Sequence, residues 1–211
     1  MTVRSSQKDL VLLVADKNME HALKGVLSRP QSLRIRDITH DIFVHPHRDP
    51  GVLLRGQDFM KSFVSRYSYA MVLFDRDGCG QGAKSRKELE DHVERNLAHS
   101  GWQNRSAAIV IDPELDIWVW SDSPHVETVL GWEGRPCSLR SWIADRGFLR
   151  HGQTKPDRPK EALECILREV RKPRSSSIYH QLSLKVGFDR CTDGAFLKLM
   201  ETLSEWFGVQ T

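Results

Sequence analysis

Two aspartates, Asp75 and Asp77, stand two residues apart at the end of the apolar run Tyr69-Ala-Met-Val-Leu-Phe74. Six apolar or aromatic residues in succession predict a strand buried on both faces, so the acids emerge where that strand leaves the sheet. In open parallel sheets this carboxyl edge is where ligands bind. A second apolar run, residues 107–111, ends in Asp112 and Glu114, and a third, residues 10–15, ends in Asp16, with Glu20 one helical turn later. Carboxylates brought together without a cation repel one another and hold on to their protons, so their convergence implies a divalent metal, Mg²⁺ or Mn²⁺. Mg²⁺ takes one or two carboxylates and fills its remaining positions with water and substrate phosphates. Such an ion can orient a phosphodiester, offset developing charge and activate water. On this reading Asp16, Asp75, Asp77 and Glu114 are the acids that converge on the metal, with Glu20 beside Asp16. Arg76, Lys84, Arg86 and Lys87 are candidate phosphate contacts. The plainer alternative for Asp75-Arg-Asp-Gly78 is an acidic turn closing a strand.

The elements that must position these acids alternate along the first two thirds of the chain. Residues 10–15 predict a central strand, and Asp16 and Asn18 then offer helix caps. Met19, Ala22, Leu23, Val26 and Leu27 recur at helical spacing, and Arg29-Pro30 ends that helix. Residues 33–38 alternate as an edge strand would, residues 45–51 form a loop rich in breakers, and Phe59 to Tyr67 mark a second amphipathic helix. After the loop Gly78-Cys-Gly-Gln-Gly82 comes a polar helix burying Leu89, Val93 and Leu97, then the strand 107–111, with Pro113 placed to open the next helix. This order predicts an α/β fold with a mostly parallel, Rossmannoid sheet flanked by helices. Beyond Trp118 no strand is evident. Helices are expected over 157–170, 175–186 and 193–207, giving a core over 1–122 and a helical C-terminal extension over 123–211 packed on it.

Composition narrows the classes. Hydrophobic residues make up 39% of the 211, enough for an ordinary globular core, and the apolar runs fall far short of a membrane span. No secretory pattern opens the sequence, and Cys79, Cys137, Cys165 and Cys191 form no CxxC pair. Free thiols and a cytoplasmic, membrane-independent protein are expected. The net charge of +3 is uneven: between Arg146 and Arg174 nine Lys or Arg face four acids. That stretch is a candidate contact for nucleic acid, although Glu161, Glu164 and Glu169 interleave with it as on a solvated helix.

An acid after the first strand, a DxD after a later one and a helix-flanked parallel sheet resemble the Toprim domain of topoisomerases, primases and OLD-type nucleases, over roughly residues 8–122. The resemblance implies that Asp75 and Asp77 bind Mg²⁺ and that Asp16 occupies the place of the family's catalytic glutamate. Here that position holds the shorter aspartate followed by Lys17 rather than glycine, with Glu20 available from the helix. A narrower resemblance, to bacterial DUF4276-like, Toprim-related proteins found among phage-defence genes, rests on Asp112-Pro-Glu-Leu-Asp-Ile-Trp-Val-Trp120 and on the segments Ser177-Ile-Tyr-His-Gln-Leu and Cys191-Thr-Asp-Gly-Ala-Phe196. It implies a component of a methylation-associated antiviral defence system, working with other subunits through Toprim-type phosphoester chemistry on nucleic acid.

Two readings compete. Strand 10–15 followed by Asp16, a later strand-end Asp75 and Lys155-Pro156 resemble a receiver-like signalling domain, though Asp112 stands where Ser or Thr is usual. A non-catalytic scaffold or sensor subunit would use Trp118, Trp120, Trp132, Trp142 and Trp206 as interface anchors. His45 and His47 carry no assignment.

Overall fold

The computed structural model of the protein describes residues 7–209. Strand β1 (Lys8–Val14) is followed by helices α1 (Lys17–Leu27) and α2 (Pro30–Leu33), strand β2 (His40–Val44) and helix α3 (Arg48–Lys61). Strand β3 (Tyr67–Asp75), helix α4 (Arg86–Leu97) and strand β4 (Ser106–Ile111) complete an all-parallel, four-stranded sheet in the order β2-β1-β3-β4. The α/β architecture expected from the alternating pattern is what the chain adopts.

The strands read as continuous apolar runs because helices cover both faces. With right-handed crossovers, the β1-to-β2 and β2-to-β3 connections run in opposite directions across the sheet and so place α1 and α3 on opposite faces. Contacts agree, since α3 packs with α4 whereas α1 packs with α8 (Ser176–Lys185). Residues 10–14, 70–74 and 108–111 are almost completely excluded from solvent, and one hydrophobic core extends from Leu10 to Phe207.

The periodic stripes read on α1 and α4 are buried. Met19, Ala22, Leu23, Val26 and Leu27 face inward on α1, and Leu89, Val93 and Leu97 do so on α4. Gly25 lets α8 approach closely, because a Cβ there would meet the Ser183 Oγ at 1.8 Å. Ser85 and Glu88 form a capping box that starts α4. Strand β4 lies at the sheet edge, where unpaired N–H groups invite unwanted pairing. Glu94 accepts from the Ala108 N–H at 3.0 Å and Glu90 from the Val110 N–H at 3.2 Å, and the Lys198 ammonium binds both carboxylates.

After β4 the chain is helical: α5 (His125–Leu130), α6 (Leu139–Asp145), α7 (Pro159–Glu169), α8 and α9 (Gly194–Phe207). Helix α9 lies against β4 and α8 against α1, so these segments help cover the sheet. No helix among the described residues is long and apolar enough to cross a membrane.

Four local expectations are corrected. The amphipathic helix read from Phe59 to Tyr67 is divided: α3 ends at Lys61, Phe63 and Val64 lie in the turn that follows, and Tyr67 opens β3. Residues 33–38 do not form an edge strand: Leu33 ends α2, Ile35 bridges Gly208 in antiparallel sense, and the pairing strand is β2, displaced towards His40. The breaker-rich loop 45–51 is half helix, because α3 begins at Arg48 and carries Asp49 and Pro50 in its first turn, where both are tolerated or favoured. Pro113 opens no α-helix; a short 3₁₀ turn, Leu115–Trp118, comes after it instead.

Candidate functional site

Strand order reverses between β1 and β3, and ligands of open α/β sheets bind outside the carboxyl ends of the strands at such a switch point. Asp16 follows β1 directly and Asp75 closes β3, so two of the acids stand at that switch point. Asp49 joins them from the first turn of α3, reached through β2.

Each of the three spends one carboxylate oxygen on a backbone amide. Asp16 caps α1 by accepting from the Met19 N–H at 2.9 Å. Asp49 accepts from the Asp75 N–H at 2.8 Å, and Asp75 in turn accepts from the Leu115 N–H at 2.8 Å. For Asp16 and Asp75 the second oxygen has no hydrogen-bond partner among the described residues. Gly78 makes room for this arrangement, since a Cβ there would lie 2.5 Å from the Asp49 Oδ2.

Electrostatically, the acids sense one another. Burial, then the charges of Asp49 and Asp16, hold the Asp75 carboxyl well above its ordinary range. Asp49 is raised as well, chiefly by burial and in part by Asp16. Glu114 is raised by burial and by neighbouring Asp116, and the Lys160 ammonium, 3.8 Å away, opposes the shift.

Of the residues singled out in the sequence, Asp16, Asp75 and Glu114 contribute to this electrostatic cluster. Asp77 is exposed at the start of a 3₁₀ turn, with its N–H bound to the Pro113 carbonyl. Glu20 sits in the first turn of α1 and pairs with Lys24 at 2.6 Å. Sequence reasoning missed Asp49, although an Asp-Pro pair followed by Gly51-Val-Leu-Leu54 is itself a helix-start signal.

The candidate phosphate contacts are mostly committed elsewhere. Arg76 binds Asp112 at 2.9 Å and the Gly82 and Lys84 carbonyls at 3.0 Å, which fixes the glycine-rich loop. Lys87 pairs with Asp91, and Arg86 lies 3.8 Å from Glu90. In the stretch from Arg146 to Arg174, Arg150, Arg158, Lys160 and Arg174 all have carboxylate partners, and Arg146 lies over the Trp142 ring. Of the five tryptophans offered as interface anchors, Trp120, Trp132 and Trp142 are buried, while Trp118 and Trp206 are half-buried.

Hard carboxylate oxygens facing one another suit Mg²⁺ or Mn²⁺ in kind. Among the described residues no three His, Cys, Asp or Glu side chains stand close enough to enclose a metal ion as they are. The donor set therefore fits an ion held by one or two carboxylates, with water and substrate oxygens as its other ligands.

No family model matches the chain, and neither a curated protein nor a solved structure matches it.

Proposed function

We propose that the acidic crevice between β1 and β3 binds Mg²⁺ or Mn²⁺ and acts on a phosphoester of nucleic acid. The observation that carries this reading is the placement of Asp16, Asp49 and Asp75 at the switch point of the sheet, where Asp49 accepts from the Asp75 N–H and the buried Asp75 is raised further by the Asp49 and Asp16 charges. Protein stability alone gives no reason to collect carboxylates around a buried one without a cation, whereas a divalent cation relieves their repulsion. Asp75 and Asp16, each with an uncommitted oxygen, are the metal-holding residues, and Asp49 orients Asp75 through its backbone N–H. When bound, the ion supplies positive charge for phosphoryl oxygens. Asp77 and Glu114 stand at the rim, where they can meet water or the leaving group, and Glu20 backs Asp16 from α1. The resemblance to Toprim-related defence proteins supports an antiviral role alongside other subunits, with the basic stretch from Arg146 to Arg174 as a nucleic-acid contact.

A receiver-like reading draws on one observation, the β2-β1-β3-β4 order with Asp75 closing β3. Against it, Lys155 lines a cavity with Trp118 and Cys191. Exposure to a small phosphodonor, followed by intact-mass measurement, distinguishes the two.

The deciding experiment is cleavage of plasmid and single-stranded DNA with and without Mg²⁺ or Mn²⁺. Wild-type protein is expected to need the metal, and Asp75→Asn and Asp16→Asn to lose about 10²-fold or more of the activity, as expected when charge stabilisation is removed. Activity that is metal-independent, or that survives in Asp75→Asn, would refute the site. Asp77→Asn separates a rim role from a metal ligand: a modest loss places it at the rim.

A further inference from the structure

A cavity of about 500 Å³ opens on the α1–α8 side, bounded by the segment after β4, the 154–155 turn and the loop between α8 and α9. Its size falls within the range of small-molecule sites, and it is separate from the acidic crevice in its lining residues.

Charge on the lining is unbalanced in a specific way. Arg140, Lys155, Lys185 and Arg190 face two acids, Asp122 and Asp189. Both acids are already engaged, Asp122 with Arg140 at 3.8 Å and Asp189 with Arg34 at 3.4 Å. Arg140 is further tied to the Thr154 carbonyl at 2.6 Å. The charged heads of Lys155, Lys185 and Arg190 have no carboxylate partner among the described residues.

Two further features of the wall point to a ligand with a flat ring. Trp118 is half-buried, tethered through its indole N–H to Asp193 at 2.9 Å and edge-on to Phe196, which fixes the orientation of the indole. Ser121 also lines the cavity, and its buried hydroxyl has no hydrogen-bond partner among the described residues, a state that a ligand polar group would remedy.

We propose that this cavity binds a nucleoside monophosphate, its base against Trp118 and its phosphate among Lys155, Lys185 and Arg190. A dianionic phosphate matches the unpaired cations, and a base-sized ring matches a fixed indole in a mostly apolar wall. Binding here does not depend on the chemistry of the acidic crevice. Leu115 stands between the two places, lining the cavity and donating its N–H to Asp75.

The test is titration of the full chain with AMP, GMP, CMP and UMP, followed by calorimetry and tryptophan emission, with adenosine and inorganic phosphate as separate arms. At least one monophosphate is expected to bind saturably. Lys155→Glu should weaken it about tenfold, the scale of one lost charge-assisted contact, and Arg190→Glu should also weaken it. Asp75→Asn should bind as wild type does. Four outcomes overturn the proposal: no monophosphate binding tighter than about 1 mM, adenosine binding as well as AMP, undiminished binding by both charge-reversal variants, or loss of binding in Asp75→Asn, which would place the probe in the acidic crevice instead. Lys155 and Arg190 lie on the surface loops, and unchanged circular dichroism confirms that the variants fold.

Discussion

Asp75 and Asp116 are held by the same four-residue turn, yet their charges are handled in opposite ways. Asp116 lies within the turn Leu115–Trp118, buried, with both oxygens 2.8 Å from the Arg174 guanidinium and one also accepting from the Tyr179 hydroxyl. Asp75 is bound by the turn's first amide, and the charges that bear on it are those of Asp49, Asp16 and Glu114. Burial raises both carboxyls, but at Asp116 the Arg174 cation counteracts it, whereas at Asp75 further acids add to it. A buried acid matched with a cation and a hydroxyl is a means of joining elements: here it ties the turn after β4 to α8 and to the loop before it. A buried acid facing other acids joins nothing, and its arrangement makes sense when a cation arrives from outside.

The strongest way to break this contrast is Asp116→Ala. It strands Arg174 in a half-buried site without its principal partner, and breaking a buried pair in this way costs about 3–5 kcal/mol. Urea unfolding is expected to show that loss. A loss smaller than that of Asp75→Ala would invert the comparison.

Asp75→Asn should act in the other direction. An asparagine still accepts from the Leu115 N–H and carries no charge for Asp49 and Asp16 to oppose. In the folded wild type the raised carboxyl keeps its proton at pH values where the unfolded chain, with its ordinary value near 3.8, has released it. Wild-type stability therefore falls as pH rises from about that ordinary value through the raised one. The variant escapes the loss, so it should be more stable at pH 7–8 by about 0.5–2 kcal/mol, the usual gain from relieving a strained functional site. The difference should vanish below about pH 4, where both forms of the wild type are protonated. Thermal melts across that range provide the measurement. Mg²⁺ should raise the melting temperature of wild type and leave that of the variant unchanged.

How much of this was legible in the sequence depends on what each residue needs. Strands β1, β3 and β4 declared themselves as apolar runs because both faces of the sheet are covered, and Asp16 and Asp75 came with them since a strand's end is fixed by its last buried residue. Asp49 was hidden because its approach to Asp75 depends on how β2 and α3 pack, and its local sequence, with two prolines and two histidines nearby, resembles a loop. Asp77 is placed by the opposite effect. Spacing of i and i+2 puts two side chains on one face only while the chain remains a strand, and β3 ends at Asp75, after which a 3₁₀ turn points Asp77 to solvent. The alternation at 33–38 signalled extended, half-buried chain, but its pairing partner, Gly208, lies far away in sequence.

Gly78→Ala sharpens the acidic side of the comparison without altering any charge. The added Cβ would stand 2.5 Å from the Asp49 Oδ2, and Asp49 is short and tethered to the Asp75 N–H, so it must turn away. Overpacking of this kind costs about 1 kcal/mol at the low end of its range, because a side-chain tip can yield more easily than backbone. The informative readout is metal binding, which should weaken if Asp49 truly orients Asp75. Unchanged metal affinity would remove Asp49 from the site.

The smallest effect belongs to Lys160, a cation beside Glu114. Lys160 Nζ lies 3.8 Å from Glu114 and is half exposed, so Lys160→Ala should change stability by less than about 0.5 kcal/mol, as is usual for surface pairs. Its value lies in the titration of Glu114, which burial and Asp116 raise and Lys160 opposes. Removing the ammonium should move the Glu114 titration to higher pH, as followed by carboxyl-carbon NMR. If Glu114 does not move, solvent already screens Lys160 at that distance, and the contrast with Asp116, where Arg174 makes direct contact, becomes sharper still.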